Sequence, residues 1–459
     1  MRFLDFDKNF SNIFKAALFE RSSLNGMRAS FILILSKHVS PEHLYETFFS
    51  YMCVPYFFSL IAGFLSNRSL NDFKIAKLGM IFSILGFAIA IVIPSHLSFI
   101  LFFAGFGLFS PALSSIVGEY IQTTRCDNDT VYTQYYLSLN VGGILGPLSF
   151  GVLLSSLNPK GIFILGLCFS ILTFIFLSKV KLKTSQMKNS KDNFLILIPL
   201  AILIGVIQYF HYLSYILLGF AFCMFMFLLY KIFIEKIIPW TLLIIIFSNI
   251  LFWTLYEQLA SSVVLFCENF LAFSVNIPFY KSFEASSSTL LFIPSLFVIL
   301  FASFINRLWA KQKNDKQFFF LKASLGFFLV CLGFCVLILL SKTHLLHSIS
   351  WQRIILVYFF FTIAELLIYP TSLSFINGYS PKNLRTSLMS FLYFSVGFSY
   401  VINHQFSEFF PLQLESSTAN YESLFGFFSK TALCISSALL LLFLIVFRKT
   451  KNHTIGESL

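Results

Sequence analysis

The sequence predicts an all-α membrane protein: two six-helix bundles plus an inserted helix pair, about fourteen spans in all. Three observations carry this. The 459 residues are 57% hydrophobic and only 11% charged, against roughly 25% charged in a soluble chain. The apolar residues fall in runs of about 20, the length that crosses the hydrocarbon of a bilayer as a helix. The basic residues collect in alternate loops, the pattern of a multi-pass protein.

Taken in order, the spans are read near 10–37, 43–66, 74–94, 97–122, 132–157 and 161–179. The polar stretch 179–192 follows, with Lys179, Lys181, Lys183, Lys188 and Lys191. Two spans come next, near 193–211 and 213–234. The last six are near 238–266, 286–309, 318–341, 351–377, 384–407 and 422–447. This divides the chain into an N-terminal bundle (1–180), a cytoplasmic linker with the inserted pair (181–236) and a C-terminal bundle (237–459). The halves echo each other. Asn67-Arg68 closes the second span of the first half, and Asn306-Arg307 closes the second span of the last. Paired bundles of this kind are the architecture of alternating-access transporters. Pro55, Pro111, Pro147, Pro294 and Pro370 lie inside spans, which bundles tolerate where neighbours re-satisfy the backbone. The run Ser286-Ser287-Ser288 reads as a helix start.

Charge sets the orientation. With a cytoplasmic N-terminus, one side collects Lys8, Arg68, Lys74, Arg125, the 179–191 lysines, Arg307, Arg385 and Arg448, among others. The other side holds only Lys37, Lys160, Lys281, Lys342 and Arg353. Both termini are therefore expected in the cytoplasm. The net charge of +12 is accounted for by these loops, so nucleic-acid binding is not implied. The eight cysteines are scattered and lack His or acidic partners at metal spacing, so they read as small apolar residues. His211, His344, His347 and His404 are placed near helix ends, as interfacial residues. Asp5, Asp7 and Lys8 without a small-residue cleavage site do not make a secretory signal. No HExxH motif or nucleophile elbow points to an enzyme.

Charges within the apolar runs are the candidate functional residues: Glu20 and Arg21, Arg28, Glu257 and Glu365. A charge at bilayer depth costs at least ~2.5–3.5 kcal/mol on insertion scales, so it should face a partner, a cavity or an ion path. Four stretches around them resemble the proton-dependent oligopeptide transporter family, a branch of the major facilitator superfamily. Phe19-Glu20-Arg21-Ser22-Ser23-Leu24-Asn25-Gly26 is similar to the first-helix ExxERFxYYG. Tyr135-Tyr136-Leu137-Ser138-Leu139-Asn140-Val141-Gly142 is similar to FYxxINxG. Phe252-Trp253-Thr254-Leu255-Tyr256-Glu257-Gln258 matches FWxxxEQ, and Ala364-Glu365 through Pro370, with Ser380-Pro381, resembles AExxxxP…AP. They occur in the family's order and in the matching helices, and bacterial members carry an extra helix pair.

The resemblance implies proton-coupled uptake of di- and tripeptides across a bacterial inner membrane by a monomer, with protons as the coupling ion and no cofactor or metal. It implies a substrate-binding set of Arg21, Asn25, Asn140, Ser295 and Glu365. Glu365 would hold the peptide ammonium, and Arg21 with Asn140 the carboxylate. Glu20, Arg21, Glu257 and Glu365 would serve proton coupling, and Arg28 with Glu257 the outer gate. Each role has a competing account. Glu257 and Glu365 would also suit structural ion pairs, Glu20 a simple pair with Arg21, and Arg21 and Arg28 interfacial anchors. Asn140 beside Gly142 would suit close helix packing. The chain also departs from the family. Ala17 replaces the first motif glutamate, Leu24 and Asn25 replace two tyrosines, and Ser110 stands where a lysine precedes Pro111. Ser295 replaces an asparagine. Losing a cation and a carboxylate together is cheaper than orphaning one. The departures leave open another zwitterionic substrate, such as an amino acid, nucleoside or siderophore, or a transport-deficient receptor.

Overall fold

The structure, a computed structural model, describes residues 7–68, 71–124, 128–156, 160–182, 197–208, parts of 210–234, 240–271, 274–275, 283–284, 286–309, 316–343, 351–379, 385–410 and 417–456. The linker 183–192, most of the second inserted span, Ser380-Pro381 and three of the histidines named above lie outside them.

The described chain is almost wholly helical. The first six spans are α1 (Lys8–Leu35), α2 (Leu44–Arg68), α3 (Asp72–Val92), α4 (His96–Thr124), α5 (Asn128–Ser156) and α6 (Lys160–Lys179). Of the inserted pair, α7 (Leu197–Gln208) is described in full. The last six spans begin with a broken one, α8 (Trp240–Tyr256) and α9 (Ser262–Phe270). They continue as α10 (Phe292–Trp309), α11 (Lys316–Thr343), α12 (Trp351–Tyr379), α13 (Arg385–Phe409) and α14 (Thr418–Gly456). Ten candidate spans among the described residues are long and apolar enough to cross a membrane. A two-residue antiparallel pair, Ser274–Val275 with Phe283–Glu284, lies between α9 and α10.

Helix starts follow their side chains. Asp7 accepts a hydrogen bond from the Phe10 N–H at 2.9 Å and caps α1. Asn71 accepts from Phe73 at 2.8 Å and caps α3. Each cap satisfies one of the backbone donors that a helix start leaves open.

Contacts divide the chain into two units: Met1–Leu217 with Phe273–Ser295, and Leu218–Ala272 with Leu296–Leu459. In the first, α1 packs on α5 and α6, α3 on α4 and α6, and α2 on α4. In the second, α8 packs on α13, and α11 on α12 and α14. Phe266 of α9 meets Tyr421 and Phe425 of α14. Phe297 and Phe301 of α10 meet Phe359 of α12. Numbered within its own set of six spans, each unit thus pairs first with fifth and sixth, third with fourth and sixth, and second with fourth. The echo of Asn-Arg in the sequence is matched by a repeat of packing.

Small residues make a close seam between α1 and α5. A Cβ added at Gly142 would lie 2.5 Å from the Leu18 carbonyl and 2.8 Å from Arg21 Cβ. One added at Gly146 would lie 2.7 Å from the Gly26 nitrogen. Such seams let helix backbones approach where lipid offers no hydrophobic drive. This one presses the Arg21 turn of α1 against α5.

Candidate functional site

In the first unit the charges of α1 sit in a polar cluster. Glu20 is 1% exposed, and its Oε2 lies 3.5 Å from Arg21 Nε. Its other oxygen accepts a hydrogen bond from Ser110 Oγ of α4 at 2.9 Å. Thus the serine found at the lysine position contacts the buried carboxylate directly. One turn on, Ser114 Oγ is 3.3 Å from the Tyr135 hydroxyl of α5. Tyr135 and Tyr56 lie within electrostatic range of the Arg21 guanidinium. The half-buried Arg21 and Arg28 share α1, two turns apart. Asn25 and Ser295 converge over Gly143, where a Cβ would lie 3.1 Å from Ser295 Cβ and 3.2 Å from Asn25 Nδ2. Asn140 is buried, and its Nδ2 donates to the Tyr136 carbonyl on its own helix at 2.9 Å. Ala17 is fully buried, on the same helix as Glu20.

In the second unit the carboxylates lie on α12 and at the end of α8. The half-buried Glu365 shares a face of α12 with Tyr369 and Ser372. That face packs on α8. Tyr369 stacks edge-on to Trp253, with centroids 5.5 Å apart, and Ser372 Oγ accepts from Asn249 Nδ2 at 2.6 Å. Tyr256 and Phe361 extend the aromatic surface, 6.2 Å apart.

Glu257 is 1% exposed and stands at a break. The sequence implies one continuous span from 238 to 266. Instead α8 stops at Tyr256, Glu257–Ala260 form a 3-10 turn, and helix resumes at Ser262. The corner is Ser261, with φ −122° and ψ −90°. Side chains satisfy the backbone freed there. Asn403 Nδ2 of α13 donates to the Thr254 carbonyl at 3.1 Å. Gln258 Nε2 donates to Asn403 Oδ1 at 3.0 Å, and Ser262 Oγ donates to Gln258 Oε1 at 2.8 Å. Gln258, Ser262 and Asn403 are fully buried.

The Major Facilitator Superfamily profile matches residues 16–403. The chain belongs to the major facilitator superfamily. Within it, the chain is 23% identical to an uncharacterized transporter of Bacillus subtilis (strain 168), over 98% of this chain and 96% of that protein. It is 22% identical to a di-/tripeptide transporter of Lactococcus lactis subsp. lactis, over 88% of this chain and 89% of that one. Two solved structures share the fold. A POT family transporter in complex with 5-aminolevulinic acid aligns with TM-score 0.78 and 21% identity, over 96% of each chain. A mutant of the peptide transporter POT in complex with alafosfalin aligns with TM-score 0.79 and 21% identity, over 96% of this chain and 95% of that one. This major facilitator chain is thus a multi-pass membrane transporter, not an enzyme, and its likeness to peptide transporters runs along nearly its whole length.

Gln258 is legible in the sequence only as part of a motif, and Asn403 is not. Ser110 reads there as a lost charge rather than as a donor. His404 corrects an expectation. The sequence places it at the interface; it is instead 2% exposed, inside α13 beside Asn403. The signal available was its run, Ser399 to Ser407, in which polar residues recur on an otherwise apolar helix. Among the described residues no cluster of His, Cys, Asp and Glu is placed to hold a metal.

Proposed function

We propose that this protein is a proton-coupled secondary transporter of di- and tripeptides, working by alternating access in a bacterial inner membrane. The observation that carries the reading is Glu20. It is a buried carboxylate held by one arginine and one hydroxyl within a membrane helix. Burying a charge is expensive unless it is paired, and a proton arriving at Glu20 would weaken its hold on Arg21. In this reading Arg21, with Asn140, takes the peptide carboxylate, and Glu365 takes the ammonium on the aromatic face of α12. Asn25 and Ser295 line the substrate site. Glu257 and Arg28 hold the outer gate, and Glu257 and Glu365 join Glu20 and Arg21 in coupling. A proton falling through 100 mV supplies about 2.3 kcal/mol. Protons are the only coupling ion, no metal or organic cofactor takes part, and a monomer with both termini in the cytoplasm suffices.

The serine at position 110 favours a second reading. Without an ammonium beside Glu20, the substrate carboxylate has one cation fewer, which suits another zwitterion or a receptor that binds without transporting. Purified protein in liposomes separates these. Under an inward proton gradient, labelled dialanine is expected to accumulate, and dissipating the gradient should abolish accumulation. Binding without counterflow would identify a receptor. Neither binding nor uptake of di- and tripeptides would overturn the peptide reading.

A further inference from the structure

Two lysines with no part in the scheme above meet at one end of the α1–α6 pair. Lys15 of α1 and Lys179 of α6 are both exposed. Their ammonium groups converge on a single ring, with Nζ 5.4 Å and 5.3 Å from the centroid of Phe176. Among the described residues neither forms an ion pair with a carboxylate, whereas the exposed Lys342 of the second unit is paired with Glu422 at 3.0 Å. Asn9, in the first turn of α1, accepts from the Lys181 N–H at 2.9 Å. That bond ties the chain leaving α6 to the start of α1. Behind the lysines runs an apolar strip. Phe176 stacks on Phe19 of α1, with centroids 5.7 Å apart and planes at 8°. Phe19 in turn meets Phe169 of α6 at 5.9 Å. Phe19 and Phe176 are half-buried, and Phe169 is buried.

We infer that Lys15, Lys179 and the Phe176–Phe19 strip form a binding site for an anionic phospholipid: the lysines hold its phosphodiester, and the rings take the start of an acyl chain. Depth supports a lipid. The 20 residues Lys160–Lys179 are a candidate span. As a helix they rise about 30 Å, the thickness of the hydrocarbon core, so Lys179 stands at headgroup level. The charge argument supports an anion. A basic residue at the end of a span is ordinary, and alone it needs only water. Two ammonium groups drawn to one ring repel each other, and an exposed cation–π contact contributes little against that. A phosphodiester between them removes the repulsion and gains both attractions. The half-buried rings begin where the charges end, which is the order of polar and apolar parts in a phospholipid. A bound lipid would tie the end of α6 to the helix that carries Glu20 and Arg21.

The test needs no transport substrate. The full chain in detergent is titrated with dioleoylphosphatidylglycerol or dioleoylphosphatidylcholine, and native mass spectrometry reads the affinity of each. The wild type is expected to bind the anionic lipid more tightly. Lys15→Gln and Lys179→Gln should each weaken it about fivefold, and together about 25-fold, with phosphatidylcholine binding unchanged. Lys160→Gln removes the same charge at the other end of α6 and should change neither. Both lysines are exposed, so the variants should fold, and an unchanged melting temperature without added lipid checks this. Equal affinity of the wild type for the two lipids overturns the site. So does a loss with Lys160→Gln as large as that with Lys15→Gln, which would show a general effect of net charge. Inorganic phosphate is the last arm: if it displaces the lipid at equal concentration, the lysines bind a free anion and the lipid assignment is overturned.

Discussion

Ser110 shows how much one hydroxyl is asked to do. Glu20 is buried with a single adjacent arginine, and the Ser110 bond at 2.9 Å comes from a different helix. A hydrogen bond to an ionised group contributes about 1.5–3 kcal/mol, although interhelical bonds in membranes average about 0.6 kcal/mol. Ser110→Ala should therefore lower thermal stability by an amount between these, with expression intact. In a Glu20→Gln background the same substitution should cost less, because the amide oxygen is a weaker acceptor. A double-mutant cycle by thermal unfolding checks this, and a coupling near zero would show that the bond is not charge-assisted. Glu20 and Arg21 were legible from sequence because charges stand out in an apolar run. The Ser110 bond was not. A serine in a helix usually turns to its own i−4 carbonyl, as Ser22 does to Leu18, and nothing local says which serine reaches across. Asn140 belongs with these. The family resemblance implies a ligand there, and its amide nitrogen is held by the Tyr136 carbonyl beside the glycine seam on α1.

At the scale of an element, the break between α8 and α9 stands out. Phe252 through Phe266 contain no glycine or proline, the usual local causes of a kink. The local signal is the pair Ser261-Ser262, whose hydroxyls donate back to the Glu257 and Gln258 carbonyls at 3.0 and 3.4 Å; the remote partner is not legible in the sequence. Asn403 lies 149 residues from Thr254 and donates to its carbonyl. The turn at Glu257 depends on that partner, together with Gln258 and Ser262. Asn403→Leu should leave the Thr254 carbonyl and the Gln258 amide only their long mutual bond of 3.4 Å, and Gln258→Leu should take the donor from Asn403 Oδ1 while the Asn403 amide keeps the Thr254 carbonyl. Each is expected to cost about 1–2 kcal/mol, within the upper range for such bonds in membranes. The double substitution should cost clearly less than the sum, since contacting residues are not additive. Additive losses in unfolding experiments would mean that the network does not act as one. The break sets Glu257 in a corner rather than on a regular helix. Discontinuous helices are where transporters commonly build their sites.

At the scale of the whole molecule, the alternation of charged loops made the architecture readable, and it yields a test that individual residues cannot. Most of the long helices fall within a few residues of a run read from hydropathy, because length and apolarity decide what crosses a bilayer; α14 continues to Gly456, well past the run read as ending at 447, and the run 238–266 is split. The inserted pair is the part that this argument serves least. The 12 described residues of α7 rise only about 18 Å as a helix, short of the ~30 Å core. Parity does not help, because a pair that crosses twice and a pair that never crosses leave every later helix pointing the same way. Accessibility from outside does separate them. With cytoplasmic termini, the loop between the fifth and sixth spans faces outward, so Lys160→Cys should react with a membrane-impermeant maleimide on intact cells. Lys188→Cys, in the lysine-rich linker, should react only after the cells are opened. If the inserted pair spans, Tyr212→Cys at its tip should behave like Lys160→Cys. If it lies along the inner surface, Tyr212→Cys should behave like Lys188→Cys. Reversal of the first two would overturn the orientation itself, which rests on five basic positions facing a much larger set. The expected result is labelling at 160 and 212 and protection at 188, because a hairpin whose two runs are nearly free of charge gains more from hydrocarbon than from the interface.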